Sequence, residues 1–219
     1  MTRHIERQID QLKQRILHVG TMVEEAISKA ITALINHDVP LAQRVMANDE
    51  EIDRMEVEVE EECLKILALY QPVAADLRFV VSVLKINNDL ERMGDLAKNI
   101  AKRVSQLANG EYPELPPEIR TMAMQAQEMV KECLDAVVNG DPLLARRVRE
   151  QDDVVDNARQ LIRRRILQDI KLHPENVESL LRINSVSKHI ERLADMATNV
   201  AEDVIYMVEG DIVRHRMTD

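Results

Sequence analysis

The chain has 219 residues, of which 45% are hydrophobic and only 2% aromatic, and its net charge is −10. This length suits one large domain or two ordinary ones, and the aliphatic composition is typical of packed helices. The negative charge and the scarcity of stacking rings argue against nucleic-acid binding, while the lack of a long apolar run or signal peptide argues against membrane insertion or export. We therefore expect a cytoplasmic protein.

Three helices are predicted in the first half of the chain. Residues 5–36 carry apolar side chains at heptad spacing, which indicates a helix with a packing seam. A break around Pro40 separates it from a second helix that is strongly acidic in its middle. That helix ends before Pro72, since a proline disfavours helical geometry in the residue before it. A third helix is predicted from about residue 73 to 108.

The second half repeats this order of helices and breaks. The segment 110–115 is predicted to be a linker, with a first three-helix bundle at 1–109 and a second at 116–219. Within the second half, helices are separated by breaks at Pro142 and Pro174. We therefore predict an all-α fold of two tandem, pseudo-symmetric three-helix bundles, built from six long antiparallel helices.

The repeat is clearest in the third and sixth helices, where the pattern Glu-Arg-x-small-Asp-x-Ala-x-Asn recurs one hundred positions apart. Residues four apart lie on one face of a helix. Each pattern therefore forms a polar stripe beside an apolar seam. The stripes are Glu91, Asp95 and Asn99 in the third helix, and Glu191, Asp195 and Asn199 in the sixth.

The second helix carries its own acids at matching height. Consecutive helices joined by a short turn pack antiparallel, so residues equidistant from the turn lie level. Pro72 is equidistant from Asp49 and Asp95, and also from Asp53 and Glu91. The register therefore predicts that Asp49 lies beside Asp95 and Asp53 beside Glu91, although it does not fix the rotation of either helix.

The second half gives the same register about its own turn. The midpoint between Asp152 and Asp195 falls just before Pro174, as does the midpoint between Asp156 and Glu191. We therefore predict a second group of four acids. Because the grouping appears twice, it is a repeated feature of the three-helix unit.

Carboxylates that converge in this way repel one another unless they share protons, pair with arginine or bind a cation. Exposed acids paired with Arg54, Arg92, Arg159 and Arg192 are the alternative to metal binding. The duplication favours metal binding. The candidate ligands are Asp49, Asp53, Glu91, Asp95, Asn99, Asp152, Asp156, Glu191, Asp195 and Asn199. Oxygen ligands suit hard divalent or trivalent ions, and the choice among iron, magnesium, calcium, manganese and zinc stays open.

Catalytic motifs are missing from the sequence. It contains no Glu-x-x-His, His-Glu-x-x-His or Gly-x-Ser-x-Gly pattern and no phosphate-cradling glycine loop. We therefore expect no enzymatic activity and no catalytic residues. His189, two positions before Glu191, is expected to be a polar surface residue and not a ligand.

The two repeated motifs, together with Asp76-Leu77-Arg78 after Gln71-Pro72, resemble the PhoU family of phosphate-uptake regulators over essentially the whole chain. This resemblance implies two three-helix bundles, acidic motifs that hold metal ions in some members, and homodimers. It also implies a cytoplasmic negative regulator that couples the ATPase subunit of a phosphate transporter to a sensor histidine kinase.

Two departures from the first repeat occur in the second. Ala194 replaces Gly94, which keeps close packing, and Arg159 replaces Glu56, which predicts a less negative second site that holds fewer ions. The leading hypothesis is therefore a regulatory adaptor with metal-binding acidic faces. A carboxylate-bridged metalloenzyme or metal store and a purely structural bundle are the alternatives.

Overall fold

The computed structural model describes residues 2–108 and 114–213, and every regular element in these ranges is helical. The α-helices there are α1 (Thr2–Asn36), α2 (Val39–Ala47), α3 (Asp49–Tyr70), α4 (Ala74–Leu107), α5 (Pro117–Asn139), α6 (Pro142–Glu150), α7 (Asp152–Leu172) and α8 (Val177–Glu209). A short 3-10 turn at Pro174–Asn176 precedes α8. The all-α fold class is confirmed. Most of the predicted linker 110–115 lies outside the described residues, so the domain bounds stay a prediction.

The predicted second and fifth helices are each divided at one residue. Asn48 separates α2 from α3, and Gln151 separates α6 from α7, so the six predicted rods contain two short leading helices. The breaks before these short helices follow from capping. Asp38 accepts a hydrogen bond from the amide of Leu41 at 2.9 Å, and Asp141 caps α6 in the same way.

The core is organised around α4 and α8, which pack against each other and against the other helices of their own halves. The predicted α4 seam is completely buried, with Ile86, Leu90, Met93, Ala97, Ile100, Val104 and Leu107 all in the core. The equivalent α8 seam is buried at Val186, Ile190, Leu193, Ala197, Val200 and Val204, and its last residue, Met207, is partly exposed. The two halves therefore share one continuous core.

The α4–α8 pair is antiparallel and pseudo-symmetric. Lys85 Nζ lies 3.4 Å from Asp203 Oδ1, and Arg103 Nε lies 3.2 Å from Ser185 Oγ. These two contacts join equivalent positions, because 85 corresponds to 185 and 103 to 203. The acidic motifs of the two helices are therefore related by an approximate twofold axis near Gly94.

Gly94 allows α3 to approach α4 closely. A Cβ added there would lie 3.3 Å from two atoms of Ile52, closer than most real contacts. The second repeat has Ala194 at this position and replaces Ile52 by the smaller Val155, both of them buried. The exchange roughly conserves volume, which explains how the second half accommodates the extra methyl group.

No helix in the described part of the chain is both long enough and apolar enough to cross a membrane.

Candidate metal sites

The first acidic group lies where α3 begins and α4 passes beside it. Asp49 is the first residue of α3 and is only 3% exposed, whereas Asp53, one turn later, is exposed. Burial raises the pKa of Asp53, and the charges of Asp49 and Asp95 raise it further against the opposing effect of Lys98. Burial also raises the pKa of Glu91, with Asp95 and Asp53 adding to the effect. The carboxylates of the two helices are therefore close enough to repel one another.

A lysine that sequence reasoning missed lies in this group. Lys98 Nζ donates a hydrogen bond to Asp49 Oδ2, and this bond is the main reason why the pKa of Lys98 is raised. Lys98 lies three residues after Asp95 on α4, so its ammonium reaches back to the start of α3. It neutralises the one buried carboxylate of the first group.

The second acidic group lies at the start of α7 and the middle of α8. Burial raises the pKa of Asp152 to about 6, and the charges of Asp156 and Asp195 contribute next. The pKa of Asp195 is also raised, by burial and then by Glu191 and Asp156. Asp152 Oδ1 is buried and has no hydrogen-bond partner. The lysine of the first group is replaced by Thr198, which donates to the carbonyl of Ala194 at 3.1 Å.

An arginine neutralises the other end of this second group. Arg159 Nε lies 3.4 Å from Glu191 Oε2, and the arginine side chain is only 11% exposed. The equivalent residue in the first half is Glu56, whose pKa is raised by burial, by Glu60 and by Asp53. The alternative that the acids pair with arginine therefore holds for Glu191. Of the other arginines it named, Arg54 and Arg92 pair with acids outside the predicted groups.

The two asparagines are not drawn into the acidic groups. Asn199 lines a groove between the halves, and its amide points to Met196 Sδ at 4.0 Å. Asn99 is half-buried. In the part of the chain that the structure describes, no hydrogen bond joins either asparagine to the predicted acids.

The acidic groups fit a metal ion only in part. Among residues 2–108 and 114–213, no three His, Cys, Asp or Glu side chains stand in an arrangement that could hold a metal ion as they are. The repelling carboxylates and the unpaired Asp152 oxygen are nevertheless what a cation would stabilise. The ten metal ligands therefore stay a prediction.

His189 differs from its prediction as a surface residue. It is half-buried, and its pKa is lowered to about 4 by burial and then by Arg103, Arg192 and Lys188. Its Nε2 lies 3.3 Å from Ser185 Oγ, whereas its Nδ1 is buried without a partner. His189 is thus part of a second, basic cluster, distinct from the acids.

We expect Asp152→Asn to stabilise the metal-free protein, and the gain to grow with pH. The Asp152 carboxyl has a pKa of about 6 in the folded chain against an ordinary value of 3.8. Since its folded pKa is raised, wild type loses stability as the pH rises through this interval, and the loss is complete above the folded pKa. After allowance for solvent screening, the gain is on the order of 1 kcal/mol.

Urea unfolding of both proteins after chelator treatment, at about pH 5 and about pH 8, measures this difference. Titrating groups that do not interact with Asp152, such as His189, are common to the two proteins and cancel in the comparison. An advantage of the Asn variant that shrinks as the pH rises would contradict the assignment.

Comparisons with known proteins agree with this architecture. The sequence matches the PhoU domain twice, over residues 16–104 and 119–204. It is 40% identical to the phosphate-specific transport system accessory protein PhoU homolog of Aquifex aeolicus over 212 residues, which is 96% of this chain and 95% of that protein. It is 39% identical to the corresponding homolog of Pseudomonas aeruginosa over 220 residues, covering 98% of this chain and 91% of that one.

Solved structures give the same result in three dimensions. The crystal structure of PhoU from Pseudomonas aeruginosa superposes with a TM-score of 0.91 at 38% identity, covering 94% of this chain and 99% of that chain. The phosphate transport system regulatory protein PhoU from Streptococcus pneumoniae gives a TM-score of 0.89 at 29% identity, with 95% and 99% covered.

Proposed function

The chain belongs to the PhoU family, and from this membership we propose that it is a negative regulator of phosphate uptake and of phosphate-starvation signalling. The observation that carries the proposal is the end-to-end match, in sequence and in fold, to phosphate-specific transport system accessory proteins. As a member of this family of accessory and regulatory proteins, the chain is not an enzyme.

We expect the protein to work as an adaptor. The resemblance implies two partners, the ATPase subunit of a phosphate transporter and a sensor histidine kinase, and it implies that the protein acts in the cytoplasm as a homodimer. An adaptor needs binding surfaces and no reacting groups, which agrees with the lack of catalytic motifs in the sequence.

The acidic groups are proposed to bind metal ions. Asp49, Asp53, Glu91 and Asp95 would hold ions in the first half, and Asp152, Asp156, Glu191 and Asp195 in the second, with Asn99 and Asn199 as further oxygen ligands. Such an ion would supply positive charge that relieves the carboxylate repulsion and fixes the acidic face for contact with a partner. Support comes from the raised pKa values of Asp53, Glu91, Asp152 and Asp195 and from the unpaired oxygen of Asp152.

The built-in cations make the two groups unequal. Lys98 holds Asp49 in the first half, whereas Arg159 holds Glu191 in the second. An ion in the first half would have to displace Lys98 from Asp49 or leave that carboxylate out of its ligand set. In the second half, Asp152 is available to bind an ion, but Glu191 is already paired with Arg159.

Deletion of the gene in the organism that carries it tests the regulatory role. We expect a reporter of phosphate-starvation genes to be switched on even in high phosphate, and a plasmid copy of the wild-type gene to restore repression. Normal repression in the deletion strain would refute the proposed function whatever the metal content of the purified protein.

A further inference from the structure

A groove lies on the first-half side of the α4–α8 pair. Its volume is about 750 Å³, and α3, α4 and α8 all contribute to it. The lining residues are Glu56, Glu60, Leu84, Lys85, Asn88, Asp89, Arg92, Asn199 and Glu202. Four of these nine carry a negative charge and two carry a positive charge, so the groove is acidic.

The pseudo-symmetry places an equivalent set of residues on the second-half side of the same helix pair. Positions on α7 correspond to those on α3 with an offset of 103, as Asp152 corresponds to Asp49, and α8 corresponds to α4 with an offset of 100. The equivalent residues are Arg159, Arg163, Asn184, Ser185, Lys188, His189, Arg192, Asn99 and Lys102. We call this set the basic cluster. It has five cations and no carboxylate, so the charge of the first groove is inverted.

Two contacts join the α4 and α8 sides of this set in space. Arg103 of α4, beside Lys102, donates to Ser185 Oγ on α8 at 3.2 Å, and Ser185 Oγ in turn lies 3.3 Å from His189 Nε2. Arg103, Arg192 and Lys188 all lie close enough to His189 to affect it electrostatically. α4 and α8 therefore bring cations to one place, and Arg159 of α7 reaches α8 beside them through its contact with Glu191.

Most of these cations have no internal partner. Within residues 2–108 and 114–213, no hydrogen bond or ion pair is made by four of the five cations, which are Lys102, Arg163, Lys188 and Arg192. Arg159 is the exception, since it contacts Glu191, the one acid that borders the cluster through an ion pair. In a chain of net charge −10, this is an unusual concentration of unneutralised positive charge.

Buried donors lie beside the exposed cations. Arg159 Nε and Nη1 and His189 Nδ1 are all buried without a hydrogen-bond partner. Unsatisfied buried polar atoms are uncommon in native proteins and call for an explanation. A protein partner would engage only the exposed lysines and arginines, whereas a small anion can reach in among the side chains to the neighbouring donors. Nucleic acid is disfavoured by the overall negative charge and the lack of aromatic rings.

We infer that the basic cluster is a binding site for a multiply charged phosphate anion, either free phosphate, pyrophosphate or the phosphate chain of a nucleotide. Arginine recognises such oxyanions through paired hydrogen bonds, and lysine through its compact positive charge. Several cations from three helices match several negative charges on one ligand. This site borders the second acidic group, since Arg159 pairs with Glu191, but its cations need no metal ion to bind an anion.

Calorimetric titration of chelator-treated, dialysed protein with pyrophosphate tests the inference. Phosphate and ATP are titrated in separate arms to tell the source of the phosphate group. We expect binding that weakens as salt is raised from roughly 50 mM to roughly 300 mM, because the charges are partly exposed. In Lys188→Gln/Arg192→Gln, we expect the affinity to fall at least about tenfold, since two cations are lost from the site.

The matched control is Arg92→Gln/Lys171→Gln. It removes the same net charge, and Arg92 is the equivalent of Arg192 on the acidic groove, while Lys171 is an exposed residue at the end of α7. The control is expected to bind like wild type. No binding of any phosphate anion, or an equal loss in both double variants, would overturn the inference. So would binding of a polyglutamate peptide without binding of pyrophosphate, which would identify the cluster as a protein-docking surface.

Discussion

Wild-type protein is expected to retain metal through purification, and protein carrying both Asp95→Ala and Asp195→Ala is expected to lose it. Each substitution removes one carboxylate from the middle of an acidic group, and each acid interacts electrostatically with its neighbours on the adjacent helix. Loss of residues that only orient a ligand already weakens metal binding by about 10-fold to 100-fold. Each site loses one direct ligand, so the affinity of each is expected to fall by at least about 10-fold. Elemental analysis of untagged protein after dialysis measures the retained metal.

The control for this experiment is Asp10→Ala/Asp135→Ala. It also removes two carboxylates, one from each half, but both side chains are exposed on α1 and α5, away from the acidic groups. The control should retain as much metal as wild type, and all three proteins should give the same helical circular dichroism. Equal metal content in all three would show that the acidic groups are not metal sites. Since the regulatory role is tested separately in cells, it would survive that result.

The helix register could be predicted from the sequence because it depends only on the rise per residue of an α-helix and on the position of the turn. The rise per residue of an α-helix is fixed, and a proline marks the turn, so the heights of Asp53 and Glu91 follow by counting. The rotation of α4 about its axis follows from its seam, because residues such as Met93 must face the core. Together these constraints direct the acids of α4 toward α3, as their mutual effects on pKa indicate.

The cations of the acidic groups were not predictable in the same way. Lys98 and Arg159 have long side chains that reach across to another turn or helix, so counting along one helix does not reveal their partners. The partial burial of His189 was not predicted for a related reason. Its position was judged only against Glu191 on its own helix, whereas the decisive neighbour, Arg103, comes from α4.

The start of α3 is marked in the sequence by a helix N-terminal pattern. Asn48 stands directly before three consecutive acids, and Gln151 stands before two, a pattern typical of a helix N-terminus. Both predicted helices are divided at these residues, so Asp49 and Asp152 are each the first residue of a helix. The positive end of the helix dipole stabilises a carboxylate there. This partly offsets the cost of burying Asp49.

The core is organised around α4, so the fold depends strongly on the packing of this helix. We therefore expect Leu90→Ala to be severely destabilising. Leu90 is 0% exposed, at the centre of the α4 seam and next to Glu91. Truncating a buried leucine costs about 2–5 kcal/mol, since apolar contact is lost and a cavity remains. For a chain of this size, the melting temperature should fall by roughly 5–15 °C.

Leu172→Ala removes the same atoms from a side chain that is 71% exposed and should change stability by less than about 0.5 kcal/mol. Thermal unfolding of chelator-treated proteins measures both, and equal melting temperatures for the two variants would mean that the α4 seam does not hold the halves together. Because the rotation of α4 is set by this seam, a loosened α4 would also lose the alignment of Glu91 and Asp95 with α3, so stability and the predicted metal sites depend on the same apolar contacts.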